Sequence, residues 1–246
     1  QEHEHEDDDP EKEKDEVKEL ARLLDRAKAY RSARSADDSL KRDLRLEALG
    51  PFVAGEKPVM VAAERQAEIE AAVAFFVDRD MPMILLGGYD ADRCASLLIE
   101  HDVPVILTGV YRNPLRRHRA YDAAYTLPSR LHAAGVTFCI AGRTRDLTWN
   151  VRNLPYHAAT AAAFGLPRDE ALKSITSHAA QILGVDDRFG SLETGKRATL
   201  IVTTGDTLEI TTLVERAFVN GAEIDLNDRH KQLRDKYNRR IDGDSR

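Results

Sequence analysis

Apolar residues along this chain change their spacing twice, and each change marks a different kind of element. Over residues 16–32, Val17, Leu20, Leu23, Leu24 and Ala27 recur every three to four positions, which predicts an amphipathic helix. Leu40, Leu44, Leu46 and Leu49 predict a second helix over about 38–49. Gly50-Pro51 and Gly55 then punctuate the chain. Beyond them the pattern becomes short unbroken apolar runs, each followed by a helical stretch. The runs are 58–62 (Pro-Val-Met-Val-Ala), 81–86 (Met-Pro-Met-Ile-Leu-Leu), 103–107 (Val-Pro-Val-Ile-Leu) and 136–140 (Val-Thr-Phe-Cys-Ile). Such runs, rich in β-branched residues and lacking alternation, predict strands buried on both faces. The helices between them are predicted over 65–78, 91–101 and 127–134, and a further Ala-rich helix starts near Pro155. Strands alternating with helices at this spacing predict an α/β fold with a parallel sheet.

The last of these units organises the rest. Its strand leads into a polar loop, 141–153, and then into a helix with Pro155 in its first turn, where proline is favoured. In barrels built from such units the loop after the strand carries the chemistry. Two shorter helices are predicted after it, over 168–177 and 179–183, the first with Asp169 and Glu170 suiting its N-terminal dipole. The spacing then shortens to two short strands, 199–203 and 214–219, with Asn220-Gly221 as a hairpin turn and Ile224 on its far side. These form a small β unit. Residues 229–241 predict a charged terminal helix that frays. The expected organisation is an acidic tail over 1–15, a barrel portion over 16–185, a small β unit over 186–226 and a charged segment over 227–246.

Composition narrows the function classes. A net charge of -6 provides no basic field for nucleic acid. No apolar run approaches the roughly 20 residues that span a membrane. Cys94 and Cys139 each fall in a helix or strand pattern, which predicts buried free thiols rather than a disulfide. The chain begins at Gln1 without Met or a signal peptide, which reads as a trimmed or partial chain. The acidic tail contains His3-Glu-His5; no strand precedes the pair to fix its geometry, so a solvated tail is its reading.

Several stretches together resemble a known superfamily. They are Asn150-Val-Arg-Asn-Leu-Pro-Tyr-His-Ala-Ala, Phe164-Gly-Leu-Pro-Arg-Asp-Glu-Ala-Leu, Ala180-Gln-Ile-Leu-Gly-Val and Gly190-Ser-Leu-Glu-Thr-Gly-Lys-Arg-Ala-Thr-Leu-Ile-Val. The sequence resembles the amidohydrolase superfamily, and within it the imidazolonepropionase-like branch, most densely over residues 57–225. The resemblance implies a TIM-like (β/α) barrel of which strands five to eight are present, joined to a small β unit. A full barrel of this kind takes roughly 250 residues. Half of one leaves apolar strand edges that are templates for pairing. The expected partners are therefore a small-molecule substrate, a missing N-terminal half or a second copy of the chain.

The resemblance also implies zinc chemistry, in which a metal lowers the pKa of bound water and an Asp accepts its proton. The family places a His after strand five, a His after strand six and an Asp after strand eight. Here those positions fall at Ala62, at about Gly87, and near Ala141 or Gly142, none of which ligates. No metal is therefore expected from this chain, and Asp146 substitutes as a catalytic residue only if its loop folds back. What remains at the strand ends is polar: Glu64, Tyr89, Asp90, Tyr111, Arg112, Arg143, Asn150 and His157 are the candidate substrate-binding residues, with the arginines suited to anionic groups. Each has a plain structural reading as well. Asp90 suits a cap on the following helix, Asn150 holds a loop to its helix, and His157 suits a packed helix-surface histidine. The function implied is hydrolysis of non-peptide C–N bonds, such as those of cyclic amides, with a degenerate metal site. The alternatives are a non-catalytic barrel module, and an enzyme whose whole metal site lies in the missing half.

Overall fold

A computed structural model describes residues 10–117, 119–142 and 150–241. The chain divides into two compact units, 1–105 and 106–246. Strands β1 (Val59–Ala63), β2 (Met83–Gly87), β3 (Val105–Thr108) and β4 (Phe138–Ala141) occur in the sheet in chain order, and β1 and β2 pair in parallel with Val59 opposite Met83 and Ala63 opposite Gly87. The unit boundary falls inside β3.

The first unit opens with α1 (Pro10–Ala36), which buries Leu24 and Ala27. Helix α2 runs over Leu44–Val53, later than the 38–49 stretch the spacing predicts. The reason is a cap: Asp43 Oδ1 accepts from the backbone N–H groups of Arg45 at 3.0 Å and Leu46 at 3.2 Å, fixing the start there. The Asp43 N–H in turn donates to the Tyr30 hydroxyl of α1 at 3.0 Å. Helix α3 (Gln66–Val77) buries Ile69, Val73 and Phe76, one turn apart, on the sheet. Each such side chain contributes roughly 1.5–3 kcal/mol by leaving water.

Strand β1 departs from the expectation of burial on both faces. Met60 and Ala62 are exposed and only Ala63 is buried. Its exposure alternates along the strand, Met60 and Ala62 being the open positions, so one face of β1 is left less covered than the other. Strand β2, between neighbours, buries four of its five residues, as the apolar run predicts. After β2 the predicted 91–101 helix is a 3-10 turn (Ala91–Cys94) followed by α4 (Ala95–Glu100).

In the second unit β4 is the hub. It packs against α5 (Ala123–Ala134), α6 (Leu154–Ala163), α7 (Arg168–Ser174) and α8 (Ser177–Ile182). The helices approach closely because their buried positions are small: Ala158, Ala161, Ala171, Ser174 and Ala180. The Ser174 hydroxyl, fully buried, donates to the Ala171 carbonyl at 2.7 Å. Beyond them β5 (Leu200–Thr203), β6 (Val214–Val219) and β7 (Ala222–Ile224) form an antiparallel sheet. The β6–β7 turn is Asn220-Gly221, both at positive φ, as the two-residue hairpin predicts. Arg168 of α7 ties to this unit, reaching Asp206 and Glu209 at 2.6 Å each. Helix α9 (Arg229–Ile241) buries no residue. Among the described residues no helix is long and apolar enough to cross a membrane.

Candidate functional site

The C-terminal ends of β1 and β2 meet in one hydrogen-bonded knot in the first unit. Glu64 follows β1, and its Oε2 accepts from the Tyr89 backbone N–H at 3.1 Å. The Glu64 carbonyl accepts from Asp90 N–H at 2.9 Å, and the Ala63 carbonyl from Gly88 N–H at 2.8 Å. Asp90 is buried, and its Oδ2 accepts from Gln66 N–H at 3.4 Å, at the start of α3. Its carboxylate makes no capping bond to the helical turn that follows it, as the sequence suggests it would; it reaches the N-terminus of α3 instead. Glu68 completes the knot, its Oε2 accepting from the N–H groups of Glu64 and Arg65 at 3.0 Å each. Tyr89 is buried, at 3% exposure.

Gly87 ends β2 at φ +106°, a backbone conformation L side chains rarely adopt. A Cβ there would stand 3.0 Å from the Ala63 carbonyl oxygen and 3.0 Å from Glu64 Cδ. Gly88 follows at φ +67°, where a Cβ would meet Val105 Cγ1 at 2.8 Å. Two adjacent glycines thus let the β2 loop fold flat onto β1. The Glu64 carboxylate occupies the space over Gly87.

The second unit brings together the loop after β3 and the first turns of α6. The Val110 N–H donates to His157 Nδ1 at 3.2 Å. Because Nδ1 accepts, the neutral ring carries its proton on Nε2. Burial holds the His157 pKa below the ordinary imidazole value. Gly109, at φ +84°, makes room for this contact: a Cβ there would lie 3.1 Å from His157 Cε1. The Tyr111 ring lies 4.4 Å from the His157 ring, centroid to centroid. Its hydroxyl donates to the Tyr156 carbonyl at 2.8 Å and lies 2.9 Å from Thr160 Oγ1. Arg112 is half-buried; its Nη1 approaches Thr108 Oγ1, at the end of β3, at 3.5 Å.

The candidate residues therefore fall into two groups. Glu64, Tyr89 and Asp90 converge in the first unit, and Tyr111, Arg112 and His157 in the second. Asn150 stands apart, exposed, its Oδ1 accepting from Asn153 Nδ2 at 3.3 Å. Arg143 and Asp146, like His3 and His5, lie outside the described residues. Glu68, Thr160 and Gly109 were not singled out from sequence. Glu68 carried half a signal: it stands three residues after the N-cap Arg65, where its carboxylate reaches back to the N–H, but Arg65 has no acceptor to complete a capping box. Thr160 and Gly109 act across sequence separations of about fifty residues and carry no local signal. Among the described residues no group of three His, Cys, Asp or Glu side chains is placed to hold a metal ion.

The sequence pattern described as the Amidohydrolase family matches residues 56–223. Among solved structures, an amidohydrolase from Thermotoga maritima MSB8 is similar at 23% identity with a TM-score of 0.74, covering 85% of this chain and 55% of that one. A second structure named as an amidohydrolase is similar at 20% identity and a TM-score of 0.56, over 74% of this chain and 49% of that one. A prolidase complexed with N-methylphosphonate-L-proline is similar at 19% identity and a TM-score of 0.53, over 73% and 47%. These likenesses show the fold, and the chain spans about half the length of each structure. No curated protein matches the sequence.

Proposed function

The chain belongs to the amidohydrolase family, and from that premise we propose that it is a hydrolase of non-peptide C–N bonds, of the imidazolonepropionase-like branch, acting on cyclic amides. Its four parallel strands correspond in this reading to strands five to eight of a (β/α) barrel, within 16–185. Residues 186–226 are the small β unit that accompanies the barrel, 1–15 an acidic tail and 227–246 a charged terminal segment. Strands from a further N-terminal portion or a second copy of the chain would complete the barrel.

The observation that carries the metal part of the reading is Gly87. It occupies the position at which the family places a ligating His after strand six. Its positive φ and the 3.0 Å approach of Ala63 and Glu64 make any side chain there strained and crowded. Ala62 occupies the position expected after strand five. The residues at these two strand ends do not fit a metal ion, and no step is derived through one. When bound in the family, a metal supplies a water of lowered pKa.

What these side chains offer a ligand is orientation and hydrogen bonding. His157, fixed as the Nε2–H tautomer by Val110, presents a neutral donor suited to a carbonyl oxygen or a leaving nitrogen. Tyr111 presents a half-exposed aromatic face beside it. Asp146 is the proposed acid–base residue of the loop after β4.

One observation favours a second reading, a non-catalytic ligand-binding module. The carboxylates of Glu64 and Asp90 each accept a backbone N–H, from Tyr89 and Gln66, and so help to hold the fold at these strand ends. Elemental analysis of the purified chain, together with turnover of a panel of lactams, hydantoins and Xaa-Pro dipeptides, separates the two. Lactam or hydantoin turnover abolished by Asp146→Ala supports the proposal. Dipeptide turnover in its place would overturn the substrate class. No turnover with retained ligand binding would establish the second reading, and stoichiometric zinc lost on Glu64→Ala would show that the metal positions have been rebuilt.

A further inference from the structure

Two helices of this chain carry an apolar stripe left open to solvent, and the charge around one stripe is opposite to the charge around the other. On α1, Val17, Leu20, Leu24 and Ala27 recur every three to four positions and so lie along one face. Burial changes along that stripe: Leu24 and Ala27 are 6% and 0% exposed, Val17 and Leu20 46% and 41%. The reason is length. Helix α1 has 27 residues, and α2, which packs against it, has 10. At 1.5 Å per residue they span about 40 Å and about 15 Å. The bonds that tie α1 to α2 and to the turn after it come from Tyr30 and Arg31, in the C-terminal part of α1: Asp43 N–H donates to the Tyr30 hydroxyl at 3.0 Å, and Arg31 reaches Glu56 at 2.8 Å. About 25 Å of α1 therefore runs past α2, and its apolar stripe is open there.

Helix α9 has the complementary character. Its 13 residues span about 20 Å. Leu233, Tyr237 and Ile241 recur at four-residue intervals on one face, and all three are exposed. Arg234 and Arg240 border this stripe, the Arg240 guanidinium 5.4 Å from the centre of the Tyr237 ring. The helix holds six basic residues and one acidic, a net +5. The first twenty residues of the chain hold eleven acidic and three basic, a net -8. Length, apolar spacing and charge thus match between the two helices. Covering such stripes removes apolar surface from water, and opposite charges beside them select the partner.

We propose that α9 of one copy of the chain docks on the overhanging part of α1 of a second copy. Leu233, Tyr237 and Ile241 cover Val17 and Leu20, and the basic helix faces the acidic end of the chain. The contact uses no sheet edge and none of the strand-end residues, so it is independent of the hydrolase reading.

The test is sedimentation velocity of the full chain over a range of concentrations, at low and at physiological salt. Self-association is expected, weaker at the higher salt because the charges involved are exposed. Leu20→Asp and Leu233→Asp are each expected to weaken it at least tenfold with an unchanged circular dichroism spectrum, since both side chains are exposed in the single chain. An equimolar mixture of the two variants is expected to regain association, because each supplies the helix face that the other lacks. A mixture that stays monomeric would mean that the two faces do not meet. A folded wild-type chain that is monomeric at every concentration would overturn the proposal. So would association that neither variant weakens, which would place the contact elsewhere. A monomer that binds phosphatidylglycerol vesicles, with binding lost in Leu233→Asp and kept in Leu20→Asp, would replace the second copy by a lipid surface.

Discussion

The Glu64 carboxylate accepts the Tyr89 backbone N–H at 3.1 Å, joining the residue after one strand to the loop after the next. This side chain closes over the space above Gly87, so the two strand ends are held by a bond from a carboxylate to a main-chain amide. Charge-assisted bonds of this kind are among the stronger ones available to a protein. Removing either the carboxylate or the glycine should therefore be felt by the fold before it is felt by any ligand.

Gly87→Ala is expected to destabilise the protein by about 2 kcal/mol, from strained backbone at positive φ together with the 3.0 Å contacts at Ala63 and Glu64. For a chain of this size that lowers the melting temperature by roughly 4–8 °C, at about 2–4 °C per kcal/mol. Thermal unfolding followed by circular dichroism measures it. A variant as stable as the parent would mean the loop does not hold this conformation.

Tyr111→Phe removes the hydroxyl that meets the Tyr156 carbonyl and Thr160 Oγ1 but keeps the ring on His157. A loss of about 1 kcal/mol is expected, as for a typical hydrogen bond. A cycle with Thr160→Val should show the two changes coupled, with the double variant losing less than the sum. Urea unfolding of the four proteins gives the coupling directly.

The pH dependence assigned to His157 has a definite sign. Burial lowers its folded-state pKa below the unfolded value, so in the interval between the two the unfolded chain binds more protons. Its contribution to stability is therefore fully present above the unfolded pKa of about 6.5 and is lost as pH falls through the folded value. His157→Asn, which keeps an acceptor for Val110 N–H, should flatten the stability profile over that interval. An unchanged slope in the variant would assign the effect to other groups.

The two thiols offer a direct probe of both units. Burial pushes Cys94 and Cys139 up to about 11, so both are protonated at pH 8 and neither is exposed. Native protein should react with a disulfide reagent far more slowly than protein in urea, where both label at once. Prompt labelling of one thiol in the native state would report local opening around β4 or the turn before α4.

How far the sequence could be read depended on the range of the interactions. Strands β2 to β4 were legible because their apolar runs are continuous, and the Asn220-Gly221 hairpin because two residues dictate its turn. The start of α2 was misplaced: Asp38 and Asp43 are both plausible caps, and the choice is made by Tyr30, thirteen residues before Asp43. The exposure of β1 was hidden for a similar reason, since an apolar run does not record what packs on each face of the strand. At the candidate site the types of residue were legible and their alliances were not. Nothing in the spacing of Val110 and His157, or of Glu64 and Tyr89, announces that each pair is bonded. Asp90 was read as a local cap and serves a helix 24 positions earlier in the chain.

The adjacent glycines after β2 also bear on history. If the strand-end ligand of the family once stood at Gly87, restoring it would strain the loop that now lies there. A histidine placed there meets the Ala63 carbonyl and the Glu64 carboxyl before it could meet an ion, and its backbone lies outside the range such a residue favours. The loop would first have to unfold from β1, which Glu64 and Gly88 oppose. A side chain at this position therefore draws on folding stability before any ion is met, through strained backbone at positive φ and crowding against β1. The compact loop thus couples what stands at this strand end to the stability of the whole first unit.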